Sequence, residues 1–375
     1  MPTIHDVASA AGVSIATVSR ALRGLDRVNP VTRARVLAAA TELGYVPSSA
    51  AASLASGRTT TVGVIVPHVT RWYFANVVQG AQELCRARGY DLLLYGLGER
   101  DDLGRRLTAI AAVHKRVDAV LVLNLPLDGP EVSLLRSLSV PVVLVGTRVE
   151  GLGSVCIDDV DVARTAVEHL LGLGHTRIAH MGGLSQDRFH FPTPRNRLAG
   201  YQQTLRSAGI EPDPALDVDG GWSIRGGSAA MDTLLALPLG RRPTAVFASS
   251  DEMAMGALSS LRRHGVPVPA ELSVVGVDDH EMAEFVDLTT VAQPVALQGR
   301  MAAEILLDEL TGSTPPGAVP ALGVSTQLIV RGSTGPVSTR AAQPARTLAT
   351  PLVSSSCSSA RSSLDPLMDV AATVT

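Results

Sequence analysis

A chain of 375 residues with 46% hydrophobic and 18% charged side chains is long enough for two or three domains, each with its own core. This is a globular composition, and no apolar run approaches the roughly 20 residues a membrane-spanning helix needs. The net charge of −3 hides an asymmetry: residues 1–60 hold six arginines against three acidic residues, so a basic N-terminal part precedes an acidic remainder.

The N-terminus, "MPTIHDVASAAG", lacks the basic stretch running into an apolar one that marks a secretory signal, so the chain is expected to stay in the cytoplasm, away from membranes. Residues 1–46 read as three short helices. Thr3 and Asp6 can form a capping box in its Asp variant, starting a helix with Val7, Ala8 and Ala11 on one face and Gly12 at its end. Ser14 suits the N-cap of a second helix in "GVSIATVSRALRG", where Val18, Ala21 and Leu22 are spaced to pack inward and Gly24 stops the run. Asn29 and Pro30 suit the N-cap and first turn of a third, which passes Val36, Leu37 and Ala40 to Gly44. Helix, four-residue turn, helix and a supporting helix is the plan of a helix-turn-helix domain.

Residues 47–60, "PSSAAASLASGRTT", are small except for Leu54 and read as a linker or a conditional helix, too poor in apolar surface to be stable alone. From Thr61 the pattern changes to apolar β-branched runs, "TVGVIVP", "YDLLLYG", "DAVLVLN", "VPVVLVG", "HTRIAHMGG", "PTAVFASSD" and "LSVVGVDD", separated by amphipathic stretches such as Val77–Arg88. That alternation predicts doubly wound parallel sheets over residues 61–332, and the number of strands favours two lobes with a cleft. Ligands in such folds sit at the carboxyl ends of strands. Residues 333–375 are rich in Ser, Thr, Ala and Pro and read as disordered. Cys85, Cys156 and Cys357 lie far apart with no CxxC pair, so they read as reduced thiols; no metal or cofactor is expected.

Several motifs in fixed order carry a resemblance. "TIHDVASAAGVSIATVSRALRG", "VTRARVLAAATELGYVP", "GVIVPHVTRWYFANVVQG", "RNRLAGY", "AVFASSDEMAMGAL", "GVPVPAELSVVGVDD" and "LTTVAQP" resemble the lactose/galactose repressor (LacI/GalR) family of bacterial transcription regulators over about residues 3–332. The resemblance implies a homodimer that binds a palindromic operator through the second helix, in the major groove, with Ile15, Ala16 and Arg20 facing bases. An arginine can bond guanine bidentately and an apolar side chain can meet a thymine methyl. Ser14, Thr17 and Ser19 are placed to bond phosphates; solvent exposure is the alternative for the last two. Arg23 stands where the family often has asparagine and is expected on a phosphate. The resemblance also implies a hinge helix that puts Ala51 and Leu54 at the minor groove, with Leu54 wedged between base steps. Two departures flank it: Ser48 replaces the usual asparagine and Ala52 the usual arginine.

For the two-lobed part the resemblance implies a small polar effector, a sugar or sugar derivative, met by Tyr73, Phe74, Arg197, Trp222, Ser250, Asp251 and Asp278. A carboxylate and a guanidinium bond hydroxyls while aromatic faces cover C–H surfaces. Core packing is the alternative for each, and a helix cap for Asp278. Ser250 departs from the family's asparagine, and the loop "LSQDRFHFPTPRN", with Arg188, His190 and Phe191, is unusually furnished. A nucleoside or purine co-repressor and a transcriptional activator share all these parts. A transport-type sugar-binding protein would need a signal peptide in place of residues 1–60. An enzyme is disfavoured, since GxSxG, GxxxxGK[ST] and HExxH are all missing. "HEMAE" at His280–Glu284 lacks a second histidine and reads as a solvated helix start, and "GLGH" at Gly172–His175 is too short for a dinucleotide fingerprint.

Overall fold

The computed structural model describes residues 2–25, 27–46, 57–97, 103–113, 115–125, 127–183, 192–313 and 320–337. The expected hinge positions Ala51 and Leu54 with Ser48 and Ala52, the loop residues Arg188, His190 and Phe191, Cys357 and the tail from 338 onward lie outside the described residues.

The N-terminal domain has α1 (Ile4–Ala11), α2 (Ile15–Leu22) and α3 (Pro30–Glu42). Each start follows from local chemistry. The Asp6 carboxylate accepts from the Thr3 backbone N–H and hydroxyl at 2.7 and 2.9 Å, bonds that hold its pKa below the ordinary carboxylate value. Ser14 Oγ accepts from Thr17 N–H at 3.2 Å, and Asn29 Oδ1 accepts from Val31 N–H with Pro30 in the first turn. The three helices share a core of Val7, Ala11, Val18, Ala21, Val28 and Val36. Small side chains let the helices pack closely and leave little room between them.

The α/β part has two sheets of the parallel, doubly wound kind. The first, in the order β11-β5-β4-β3-β1-β2, comprises β1 (Thr61–Val66), β2 (Asp91–Gly96), β3 (Ala119–Leu123), β4 (Val142–Val145), β5 (Gly153–Cys156) and β11 (Ala321–Gly323), all paired in parallel. The second, β12-β10-β9-β8-β6-β7, comprises β6 (Ile178–Gly182), β7 (Asp217–Asp219), β8 (Ala245–Ala248), β9 (Ser273–Asp278), β10 (Thr289–Ala292) and β12 (Gln327–Ile329). Only β12 runs antiparallel to its neighbour there. Each sheet has a switch of strand order beside its first strand, which opens a crevice at the carboxyl ends.

Helices α4 (Trp72–Ala87), α5 (Leu103–Val113), α6 (Gly129–Ser137) and α11 (Val295–Thr311) belong to the first lobe; α7 (Asp159–Gly172), α8 (Pro192–Ser207), α9 (Ile224–Leu235) and α10 (Asp251–Arg263) belong to the second. The chain therefore passes between lobes three times: after β5, after β10 and after β11. Helices α4 and α11 touch backbone to backbone. A Cβ on Gly80 would lie 1.9 Å from the Ala296 carbonyl oxygen, and one on Gly299 1.9 Å from that of Val77, so both positions exclude any side chain.

Four features differ from the sequence reading. Helix α4 begins at Trp72, before Val77, so Tyr73 and Phe74 stand in its first turn. Strand β2 is an edge strand and only partly buried. The α/β part starts earlier than 61, because Asp118 accepts from the backbone N–H groups of Thr59 and Thr60, both at 2.8 Å. It also ends later than 332. Ser333 is buried and its hydroxyl donates to the Val274 carbonyl, the Gly335 carbonyl faces His175 Nε2 at 3.0 Å, and Val337 N–H donates to Leu173 O. A polar composition suggested disorder there, but the Ser333 hydroxyl and backbone groups of Gly335 and Val337 are partners for other polar groups.

Candidate functional site

Helix α2 presents one face to the domain core and the other to water. Val18 and Ala21 are buried, while Ser14, Ile15, Ala16, Arg20 and Arg23 are exposed and Thr17 and Ser19 half-buried. Thus the residues expected at bases share the outward face. The Ser14 and Thr17 hydroxyls lie 2.9 Å apart, and Arg23 Nε donates to the Ser19 carbonyl at 3.2 Å, a bond that lays its guanidinium along the helix.

The cleft between the lobes holds a cavity of about 400 Å³, within the range of small-molecule sites. Six of the seven residues expected at an effector line it: Tyr73, Phe74, Arg197, Trp222, Ser250 and Asp278. Asp251 does not. It is fully buried behind the cavity wall, where its carboxylate accepts from Thr290 Oγ1 and from His280 N–H, both at 2.8 Å. The next residue, Glu252, lines the cavity instead, because Ser250 caps α10 by accepting from Met253 N–H and the first turn points Glu252 towards the opening.

Other lining residues were not foreseen. His68, Asn124, Gly146 and Ile157 follow the carboxyl ends of β1, β3, β4 and β5, and Gln293 follows β10. A positional signal existed, since each sits one or two residues beyond a strand. Backbone conformation marks the same region: Asn124 (φ 42°), Trp222 (φ 52°) and Asp278 (φ 122°) are non-glycine residues in the left-handed region, a cost tolerated where surrounding structure fixes a functional geometry. Trp222 also needs Gly183, where a Cβ would lie 1.9 Å from the indole nitrogen.

The polar groups are engaged with one another. Arg197 Nε donates to Asp159 Oδ1 at 2.9 Å and its Nη1 donates to the Ser249 carbonyl; the guanidinium carbon stands 5.8 Å from the Trp222 ring centre. Arg71 Nη1 donates to the Trp222 carbonyl at 2.8 Å. A relay of side-chain amides runs from the first lobe to the second: Tyr73 Oη donates to Gln298 Oε1 (3.4 Å), Gln298 Nε2 to Gln293 Oε1 (2.9 Å) and Gln293 Nε2 to Asp278 Oδ1 (2.6 Å). Every link donates towards the Asp278 carboxylate, so the dipoles reinforce one another. Burial pushes the Asp278 carboxyl up to about 7, against the opposing pull of Arg197 and Gln293. Burial likewise raises Tyr73, which stays a hydroxyl donor.

Behind the cavity, His180 Nδ1 lies 2.8 Å from Asp217 Oδ1 and its Nε2 2.9 Å from Ser249 Oγ. The order Ser, His, Asp is that of a hydrolytic triad. Ser249 is fully buried and outside the lining, so its hydroxyl has no access to a substrate. The trio instead braces the segment whose carbonyl holds Arg197. "HEMAE" differs from its reading as well: residues 281–287 are turns, and the His280 ring stacks against Trp72 with centres 4.7 Å apart.

Comparisons with known proteins agree with this geometry. Residues 3–48 match the family described as bacterial regulatory proteins, lacI family, and residues 167–334 match a periplasmic binding protein-like domain. The HTH-type transcriptional repressor CytR of Escherichia coli K12 is 37% identical over 339 residues, covering 88% of this chain and 96% of that protein. The HTH-type transcriptional regulator CelR of Thermobifida fusca is 38% identical over 345 residues, covering 88% and 98%. Among solved structures, a CelR–cellobiose complex superposes with a TM-score of 0.64 at 36% identity, over 89% of this chain and all of that one. The lac repressor dimer bound to operator and the anti-inducer ONPF superposes with a TM-score of 0.76 at 29% identity, over 89% and 99%.

Proposed function

This chain belongs to the lacI family of bacterial regulatory proteins, and from that premise we propose that it is an operator-binding transcriptional repressor, dimeric, whose cleft takes a neutral, hydroxyl-rich effector of the sugar class. Arg20, with Ile15 and Ala16, reads base edges from the exposed face of α2, and Ser14, Thr17, Ser19 and Arg23 hold phosphates. The observation that carries the effector class is the state of the cavity's charges. Both lining guanidiniums, Arg71 and Arg197, already donate to protein acceptors, and three carboxyl groups, Asp159, Glu252 and Asp278, share the wall with them. A phosphate or carboxylate would meet these acidic neighbours, and the Arg197 charge is already paired with Asp159. A polyol fits: Asp278, Gln293 and Ser250 supply acceptors and donors for hydroxyls, and Tyr73, Phe74 and Trp222 cover the C–H faces.

An effector that binds one arrangement of the lobes better than the other shifts that equilibrium and with it the affinity for DNA. The test is a thermal-shift screen of ribose, cellobiose, sugar phosphates and nucleosides, followed by a gel shift on the DNA upstream of the chain's own coding sequence. A neutral saccharide at 100 times its Kd should stabilise the protein by about 2.7 kcal/mol and alter the retarded band. Stabilisation by phosphorylated sugars alone would overturn the charge argument, and failure to retard any duplex would overturn the regulator reading.

A further inference from the structure

Two adjacent side chains of the first lobe contact the second lobe. Arg71, the N-cap residue of α4, donates from Nη1 to the carbonyl of Trp222 in the second lobe at 2.8 Å. Trp72, the first residue of α4, lays its ring over that of His280, again in the second lobe, with centres 4.7 Å apart and planes inclined by 30°. Both tryptophans of the chain therefore take part in contacts between lobes. The partners are themselves fixed. His280 Nδ1 accepts from Met282 N–H at 3.0 Å, which leaves its other nitrogen to carry the proton and sets the ring plane. The His280 backbone N–H donates to buried Asp251, and the Trp222 ring lies beside Arg197. Among the described residues the buried Trp72 indole N–H has no hydrogen-bond partner, a cost accepted to keep the ring in its place.

We propose that Arg71 and Trp72 are positioning residues of the effector site, forming a clasp that holds the two lobes together beside the cavity. The two contacts use different chemistry, one a charge-assisted hydrogen bond and the other a tilted ring contact, and they grip the second lobe at two separate segments, the turn at Trp222 and the loop at His280. Opening the cleft must break both. The buried Asp251 carboxylate supports the clasp through the loop that carries His280, which accounts for its position behind the cavity wall. The clasp rests on the effector reading only in that the closed cavity is where an effector would be retained.

Hydrogen–deuterium exchange on the full-length protein without ligand tests this. In Arg71→Ala, the amides of residues 278–283, which meet the first lobe through Trp72, should exchange at least about fivefold faster than in the parent. In His280→Ala, the amides of residues 220–224, held through Arg71, should do the same, while strands β3 and β8 keep their protection. Arg71→Lys retains one donor and should lie between Ala and the parent. Acceleration confined to the contact each substitution removes would overturn the clasp, because loosening would then not pass between segments. Either Ala variant alone decides the question if the other folds poorly. No effector enters this measurement, so a failed saccharide screen and a failed clasp are separate results.

Discussion

The proposed DNA-facing helix and the proposed effector cavity place their residues in opposite ways. On α2 and its caps the seven expected contacts fall within ten consecutive positions, Ser14 to Arg23, and a 3.6-residue period alone separates outward from inward side chains. The cavity draws on residues from His68 to Gln298, on both lobes and on the ends of most strands. A contiguous site depends on one helix and its cap. A dispersed one depends on two sheets, three crossings and the buried bonds that fix each lining group, so substitutions in it should act on the fold as much as on the ligand.

The largest effect should show that dependence. Asp159→Ala leaves the Arg197 guanidinium, 3% exposed, without its carboxylate, and removing one partner of a buried pair costs about 3–5 kcal/mol. The thermal midpoint of the α/β part should fall by many degrees, while a fall of only one or two degrees would mean that water or the effector already serves that charge. The counterpart on α2 is Arg20→Ala, which should leave the fold unchanged and lose about 1–3 kcal/mol on operator, with little change on random duplex in an anisotropy titration. Equal losses on both duplexes would remove Arg20 from base reading. A third test concerns Asp278. Its carboxyl is raised to about 7 by burial, from an ordinary 3.8, so folding favours its protonated form. That stabilisation is present below about pH 4 and is lost as pH rises to about 7, then stays constant. Asp278→Asn should flatten this part of the midpoint against pH curve; an unchanged slope would assign it to Asp251, which burial raises in the same direction. The smallest effect belongs to Ser14→Ala, which removes a cap bond from Thr17 N–H and should cost the N-terminal domain about 1 kcal/mol, visible in its denaturant midpoint.

What was legible in the sequence follows the same division. The three helix starts were readable because Asp6, Ser14 and Asn29 act on amides two or three residues away. The long central strands were readable from their apolar runs. Strands β5, β7, β10, β11 and β12 were not: runs of three or four residues, most of them with glycine, aspartate, threonine or glutamine, carry no period. At the cavity, Tyr73, Phe74, Arg197, Trp222, Ser250 and Asp278 came from a family resemblance, whereas Asn124, Gln293 and Gln298 are ordinary polar residues whose roles exist only once the two sheets meet. Asp251 shows the limit of motif reading. It sits one residue from two lining side chains, yet the first turn of α10 carries it inward to Thr290 and His280.

The most direct test of coupling between the two sites is operator affinity by fluorescence anisotropy at about 150 mM salt, with and without the neutral saccharide that most raises the thermal midpoint. Affinity should change at least about fivefold on operator duplex and not at all on random duplex. Equal operator affinity with and without a saturating saccharide would contradict that coupling.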